Sequence, residues 1–283
     1  MWHWLRLVAS FLASACAVGN CIADEPRFFT SSDGVRLRYI EEGHGETLLF
    51  IPGWLMLAEI WRPQIDYFSR THQVIAFDPR SQGGSEIAVS GNNIKRRAQD
   101  LHELVEHLKT PRVVLIGWSL GVLESLLYVK THGDRRIAGL VLVDNSVGET
   151  PGQSGDDDIR YEGPRDRRRE MATFVGSMFK SAPTPEYLEW LTGETLRAPG
   201  KTGASLLAIP YPRTFWRSAV YETRRPLLYA VTDSLRGQAE TLKRKRKDTS
   251  IAVFAGAGHA LFIDDPARFN ASLAAFLETP FAE

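Results

Sequence analysis

Nine residues, VVLIGWSLG at positions 113–121, decide the fold of this chain. The first four are apolar and predict a buried strand. Gly117, Ser119 and Gly121 follow in the spacing G-x-S-x-G, and a helical pattern begins near Leu120. In such a strand–turn–helix arrangement a sharp turn lifts the serine hydroxyl clear of the sheet. Both glycines are needed because a side chain there would collide with the adjoining strand or helix. We therefore predict that Ser119 is a nucleophile.

Two further segments supply groups that a nucleophilic serine needs. Upstream, the apolar residues 47–51 run into Pro52-Gly53-Trp54. Downstream, the apolar residues 251–254 lead to Gly256-Ala257-Gly258-His259. A histidine on a loop after the last strand is suitably placed to accept the proton of an attacking serine. We predict His259 as the general base.

A third segment connects these features to a known family. DPRSQGGS at positions 78–85 follows a strand pattern at Gln73–Phe77. With the Ser119 turn and the His259 loop, this segment resembles the α/β-hydrolase fold family across residues 28–277. It is similar to the family's D-x-R-G-x-G-x-S signature, with Ser81 where a glycine is usual. The resemblance implies a serine hydrolase with a carboxylate that orients the histidine.

The sequence offers two candidates for that carboxylate. In the family the acid usually follows the strand after an inserted segment, which points to Asp233. A minority of families place it one strand earlier, beside the nucleophile strand, which points to Asp144. Because the predicted strand at 227–231 is followed within a few residues by a helix pattern, the loop that carries Asp233 is short. We therefore favour Asp144 and keep Asp233 as the alternative.

The remaining parts of the site follow from the same resemblance. It implies that the backbone N–H groups of Trp54 and Leu120 form an oxyanion hole, Leu120 at the start of a helix. The side chains of Trp54 and Trp118 are expected to wall the acyl pocket. Asp264 and Asp265 follow the histidine too closely to be its partner and are typical of a helix cap before a proline.

The order of strand and helix patterns predicts one α/β core with an insertion. Strands and helices alternate through residues 24–146 and again through 226–283, which predicts a mostly parallel sheet with helices on both faces. A hairpin is expected at 28–41, around the turn signal Asp33-Gly34. Residues 147–225 contain no strand pattern and four helical stretches, which predicts an inserted helical cap.

The first 23 residues have the pattern of a secretory signal peptide. A basic start, an apolar stretch at 7–18 and small residues up to Ala23 predict cleavage after that residue. The apolar stretch is shorter than the ~20 residues of a membrane-spanning helix. Both cysteines, Cys16 and Cys21, lie in this segment, and acylation of Cys16 in a lipoprotein is the alternative. We expect an exported, periplasmic or secreted protein with no stable membrane span after cleavage.

Composition and motifs together narrow the function. The 34 basic residues balance the 34 acidic ones, so no nucleic-acid partner is indicated. We predict hydrolysis of an ester, lactone or related acyl bond in a small to medium, largely apolar substrate, with no cofactor or metal. The resemblance also admits a cofactor-free haloperoxidase or perhydrolase and a C–C bond hydrolase. A non-catalytic binding protein on this fold is the remaining alternative.

Overall fold

The computed structural model describes residues 26–151, 166–181 and 183–279. The predicted signal peptide at 1–23, including Cys16, lies outside the described residues. Within the described part of the chain, no helix is both long enough and apolar enough to cross a membrane.

An eight-stranded sheet forms the centre of the protein, in the order β1-β2-β4-β3-β5-β6-β7-β8. Its strands are β1 (Arg27–Thr30), β2 (Arg36–Glu42), β3 (Thr47–Ile51), β4 (Gln73–Phe77), β5 (Val113–Trp118), β6 (Ile137–Val143), β7 (Leu227–Thr232) and β8 (Thr249–Phe254). The pairs β1–β2 and β2–β4 are antiparallel, and every other neighbouring pair is parallel. The prediction of a mostly parallel sheet is confirmed.

The central strands are apolar at nearly every position because both faces of the sheet are covered. Every residue of β3 and β5 is buried. Alternate side chains enter two separate apolar layers: Leu49 and Leu115 pack in one, and Phe50 and Ile116 in the other. This division follows from the two-residue period of a strand.

Helices cover the two faces of the sheet. In chain order they are α1 (Arg62–Phe68), α2 (Ile94–His107), α3 (Leu120–His132), α4 (Arg167–Ser177), α5 (Pro185–Arg197), α6 (Gly200–Leu207), α7 (Arg213–Glu222), α8 (Arg236–Lys245), α9 (Leu261–Asp264) and α10 (Pro266–Leu277). The helical segment α4–α7 lies between β6 and β7, where the sequence predicts an insertion. Its role as a cap stays a prediction.

Short 3-10 turns lead into α1 and α8. The first, at Ala58–Trp61, continues directly into α1, which carries a proline in its first turn. The second, at Asp233–Leu235, continues directly into α8. The link between β7 and α8 is therefore a single short turn.

The predicted hairpin is present, and its turn is fixed by a buried arginine. β1 and β2 pair with Phe29 opposite Leu37. Asp33 in the turn accepts hydrogen bonds from Arg80 Nη1 at 3.0 Å and Nη2 at 3.1 Å. Arg80 is fully buried and also binds Asp100 through Nε at 2.6 Å. The hydrogen bond from Arg80 is the main cause that lowers the pKa of Asp33 to about 2.

This lowered pKa predicts a pH-dependent contribution to stability. The ionised Asp33 stabilises the fold above its ordinary pKa of 3.8, and the contribution is lost as pH falls through about 2. Because Asp33 is about one-third exposed, we expect Asp33→Asn to lower the free energy of unfolding by only about 1 kcal/mol at pH 7. Urea unfolding at pH 7 and pH 3 measures this, and the gap from wild type should shrink at pH 3.

Asp66→Asn is the matched control, since Asp66 is 59% exposed in its pair with Arg62. It should change stability little at either pH. Equal losses for Asp33→Asn at pH 7 and pH 3 would contradict the assignment.

Candidate active site

Ser119 occupies a strained turn between β5 and α3. Its backbone has φ 55° and ψ −120°, a conformation that residues other than glycine rarely adopt. A Cβ atom at Gly117 would lie 2.3 Å from the carbonyl oxygen of Gly121, and one at Gly121 would lie 2.5 Å from that of Ile51. Only glycine at both positions lets α3 approach β5 and β3 so closely.

His259 and Asp144 are joined by a short hydrogen bond. His259 Nδ1 lies 2.8 Å from Asp144 Oδ2. The other carboxylate oxygen, Oδ1, accepts from the N–H and the Oγ1 hydroxyl of Thr232, both at 2.8 Å. Asp144 is 6% exposed and, with φ 45°, is a second residue in a left-handed conformation. Because Asp144 engages Nδ1, Nε2 is the ring nitrogen available to a hydroxyl group.

Asp233 is held elsewhere. Its side chain is 54% exposed and accepts from Arg236 Nη2 at 2.6 Å and from the N–H of Gly256 at 3.2 Å. The hydrogen bond from Arg236, followed by that from Gly256, lowers its pKa. The structure therefore brings Asp144 to His259 and leaves Asp233 outside this contact.

Trp118 contacts the loop that carries His259. Its indole Nε1–H donates to the carbonyl of His259 at 2.8 Å. Its ring centroid lies 5.2 Å from that of His259 and 5.1 Å from that of Phe262. Trp118 is 1% exposed. This placement differs from the expected pocket wall, because the side chain points from the end of β5 into the apolar layer beneath the loop.

Asp264 also holds the histidine loop, in a way that differs from our prediction. Of the two aspartates expected to cap α10, only Asp265 does so, by accepting from the N–H of Arg268 at 3.2 Å. Asp264 lies in α9, and it accepts from the N–H of Gly258 at 2.7 Å. It also accepts from the N–H groups of the residues after α4, Lys180 at 2.9 Å and Ser181 at 3.0 Å. It thereby joins the histidine loop to the helical segment.

The turn after β3 lies directly beside Ser119. β3 and β5 pair with Ile51 opposite Gly117. A Cβ atom at Gly53 would lie 3.4 Å from Ser119 Oγ. The next residue, Trp54, and the first residue of α3, Leu120, are those whose backbone N–H groups the resemblance assigns to an oxyanion hole.

The side chain of Trp54 faces the helical segment. Its Nε1–H donates to the carbonyl of Gly203 in α6 at 2.9 Å. Its ring meets that of Phe174 in α4 edge-on, with centroids 5.0 Å apart. Trp54 therefore lies between the turn after β3 and two helices of the inserted segment, and its place at a pocket wall stays a prediction.

A cavity of about 490 Å³ opens at the carboxyl ends of β6 and β7. It is lined by Asp144, Phe174, Ser177, Met178, Thr232, Asp233, Ser234, Ala257, Gly258 and His259. A slightly larger cavity, of about 520 Å³, lies at the opposite edge of the sheet, and its lining contains no serine, histidine or cysteine. The first cavity lies at the carboxyl ends of the parallel strands, the edge at which ligands bind in open α/β sheets. Among the described residues, no group of three or more His, Cys, Asp or Glu side chains is arranged to hold a metal ion.

Sequence reasoning missed two polar residues around the site. Thr232 donates twice to Asp144, as described above. Asn145 Nδ2 donates to the carbonyl of Ser119 at 2.7 Å and so stabilises the Ser119 turn. Thr232 could have been found from its position, because it ends the strand that usually precedes the acid in the family. Nothing in the sequence around Asn145 indicates its contact.

Comparisons with known proteins point to one family. A sequence model described as "Alpha/beta hydrolase family" matches residues 48–272. A non-heme haloperoxidase from Rhodococcus erythropolis is 35% identical over 117 residues, which make up 41% of this chain and 43% of that relative. The match therefore spans less than half of the relative's own length.

Solved structures show the same architecture. An esterase from Exiguobacterium antarcticum aligns with a TM-score of 0.78 and 19% identity, over 90% of this chain and 100% of that chain. A bromoperoxidase from Bacillus anthracis aligns with a TM-score of 0.78 and 20% identity, over 90% of this chain and 100% of that chain. At these identities the likeness concerns the fold alone.

The close approach at the Ser119 turn predicts a large effect of one methyl group. Because a Cβ atom at Gly117 would overlap the backbone of Gly121, we expect Gly117→Ala to lower the free energy of unfolding by about 3 kcal/mol or more. The measurement is urea unfolding followed by circular dichroism.

Gly176→Ala is the control, because Gly176 is exposed in α4 and a Cβ atom there meets nothing within 4 Å. This change should leave stability unchanged or raise it by about 0.5–1 kcal/mol. Similar effects of the two substitutions would show that the Ser119 turn tolerates a side chain.

Proposed function

This chain belongs to the alpha/beta hydrolase family, and on that premise we propose that it is a serine hydrolase acting on an ester, lactone or related acyl bond. Ser119 is the nucleophile, His259 the general base and Asp144 the acid that orients the histidine. The observation that carries the proposal is the 2.8 Å hydrogen bond between His259 Nδ1 and Asp144 Oδ2. It commits the imidazole to one orientation, on a loop whose backbone is bound by the residue next to Ser119.

Acylation begins at the hydroxyl of Ser119. Its Oγ forms a bond to the substrate's carbonyl carbon while its proton passes to Nε2 of His259, and the carbonyl π electrons move onto oxygen. The tetrahedral intermediate then re-forms the C=O bond and expels the leaving alcohol, which takes the proton from His259. The acyl group remains on Ser119 as an ester.

Deacylation repeats these steps with water. His259 accepts a proton from a water molecule while the water oxygen attacks the acyl carbon. The second tetrahedral intermediate expels Ser119 Oγ, which recovers its proton from His259, and a carboxylic acid leaves. In both halves the negative charge on oxygen is stabilised by the N–H groups of Trp54 and Leu120.

Asp144 contributes through the protonated form of His259. A buried carboxylate that binds Nδ1–H stabilises the imidazolium and fixes the tautomer in which Nε2 accepts a proton. The two hydrogen bonds from Thr232 satisfy the other oxygen, Oδ1, at 2.8 Å each. The carboxylate is thereby held as an acceptor facing His259.

We further propose that the helical segment α4–α7 acts as a cap that selects the substrate. This is supported by the contacts that Trp54 makes with Phe174 and Gly203, since they bring the segment to the expected oxyanion hole. The cavity of about 490 Å³ is within the range for small-molecule sites, ~300–1,000 Å³. Phe174 and Met178 in its lining favour a small to medium, largely apolar group.

Perhydrolysis on the same residues is the second candidate. It is favoured by the 35% identity with a non-heme haloperoxidase over 117 residues. Hydrogen peroxide would attack the acyl-enzyme in place of water, so that the products are a peracid and free Ser119. The first half of the reaction is unchanged, and the two activities differ only in the second nucleophile.

Labelling with a fluorophosphonate tests the nucleophile. We expect wild type to gain the mass of one phosphonyl group, mapped to Ser119, because only an activated serine attacks the reagent at a useful rate. Intact-mass spectrometry of Ser119→Ala should show no adduct. A wild-type protein that binds acyl compounds but is neither labelled nor active would favour a non-catalytic binding protein.

Two matched substitutions test the acid. We expect Asp144→Asn to lower kcat for p-nitrophenyl acetate by about 10²–10⁴, because the histidine loses the carboxylate that fixes its tautomer. Asp233→Asn makes the same chemical change at the exposed aspartate and should leave kcat within about threefold of wild type. If Asp233→Asn instead lowered kcat far more than Asp144→Asn, the role of the acid would belong to Asp233.

A further inference from the structure

The buried side chain of Gln82 binds the turn after β3. Gln82 Oε1 accepts from the N–H of Leu55 at 3.1 Å. Its Nε2 donates to the carbonyls of Met56 at 2.5 Å and Gly53 at 3.4 Å. Gln82 is 2% exposed. One amide group thus binds the backbone on both sides of Trp54.

These hydrogen bonds fix the direction of the Trp54 N–H group. Trp54 N–H and the carbonyl of Gly53 belong to the same peptide unit, and in a planar trans peptide the two point in opposite directions. The carbonyl of Gly53 is directed inward, where it accepts from Gln82 and, at 3.2 Å, from the N–H of Met56. The N–H of Trp54 therefore points the other way.

The turn also needs an external restraint. Leu55 has φ 57°, a left-handed conformation that costs about 1–3 kcal/mol in a residue other than glycine. Its N–H is bound by Gln82 Oε1. The hydrogen bonds to Gln82 offset that strain and keep the turn in one conformation.

Gln82 is itself oriented by a buried ion pair. Arg97 Nη1 donates to Gln82 Oε1 at 2.7 Å, and because a guanidinium only donates, the amide oxygen must face Arg97 and the NH₂ group the carbonyls of the turn. Arg97 Nε lies 2.7 Å from Glu124 Oε1. Glu124 is in α3, the helix that begins at Leu120. The chain Gln82–Arg97–Glu124 therefore connects the two residues assigned to the oxyanion hole.

We propose that Gln82 is a positioning residue for the oxyanion hole: it holds the Gly53–Trp54 peptide so that the Trp54 N–H points at the oxygen that becomes negative when Ser119 attacks. The inference rests on the proposed function, since that charge develops only in acyl transfer. Through its contact with Arg97, which pairs with Glu124 in α3, Gln82 is held at a fixed position relative to that helix.

This role affects the transition state more than the bound substrate. A neutral carbonyl gains little from a well-directed N–H group, whereas the oxyanion gains much. Loss of the Gln82 amide should therefore lower kcat and leave KM nearly unchanged, the signature of an interaction made only in the transition state. A purely structural role would lower the melting temperature without separating kcat from KM.

The test is Gln82→Met, which keeps a side chain of similar length and removes all the amide hydrogen bonds. With p-nitrophenyl acetate we expect kcat to fall by about 10–100-fold, up to the loss of one oxyanion donor, with KM within about threefold of wild type. Gln64→Met is the matched control: Gln64 is also fully buried and donates to the carbonyl of Phe262 at 3.0 Å and to Asn270 Oδ1 at 3.2 Å, between α1 and α10. The kcat of Gln64→Met should stay near wild type even if its melting temperature falls as far as that of Gln82→Met.

Gln82→Glu is the second variant and decides the question if Gln82→Met does not fold. It keeps an acceptor for Leu55 and Arg97 but has no N–H for the carbonyls of Gly53 and Met56, so the same fall in kcat is expected. A folded Gln82 variant with wild-type kcat, or equal losses in Gln64→Met, would overturn the positioning role. A wild type that shows neither turnover nor phosphonylation would instead overturn the proposed function, and this inference with it.

Discussion

The close approach of α3 to β3 and β5 is the constraint on which the rest of the site depends. A Cβ atom at Gly117 or Gly121 would lie 2.3 Å or 2.5 Å from a backbone oxygen, so the turn forms only with glycine at both positions. At the same turn Ser119 has φ 55°, a value that residues other than glycine rarely adopt. Packing in the layers on either side of the sheet offsets the backbone strain at Ser119.

Asp144 extends this arrangement to the neighbouring strand. β5 and β6 are paired with Trp118 opposite Val143, so the residues that follow, Ser119 and Asp144, emerge side by side at the carboxyl edge. Both have positive φ, which turns each side chain out of the sheet. β7 contributes Thr232, whose hydroxyl and backbone N–H donate hydrogen bonds to the carboxylate of Asp144. Three adjacent parallel strands thus orient His259 together.

Much of this could be predicted from the sequence, because steric rules are local. The spacing of Gly117, Ser119 and Gly121 and the apolar strands predicted the sheet, and the short link after β7 was the reason to favour Asp144 over Asp233. Contacts between distant segments could not be predicted in the same way. Neither the burial of Trp118 under the histidine loop nor the contacts of Asp264 and Gln82 has a sequence signature, since each depends on how separate loops meet. Export through residues 1–23 stays a prediction.

A crystal structure of the phosphonylated enzyme tests the central claim most directly, because the adduct reproduces the tetrahedral intermediate at Ser119. We predict one phosphonyl oxygen at about 2.7–3.1 Å from the backbone nitrogens of both Trp54 and Leu120, with His259 Nδ1 still bound to Asp144. A phosphonyl oxygen directed to solvent, or a His259 that has exchanged Asp144 for Asp233, would contradict this account.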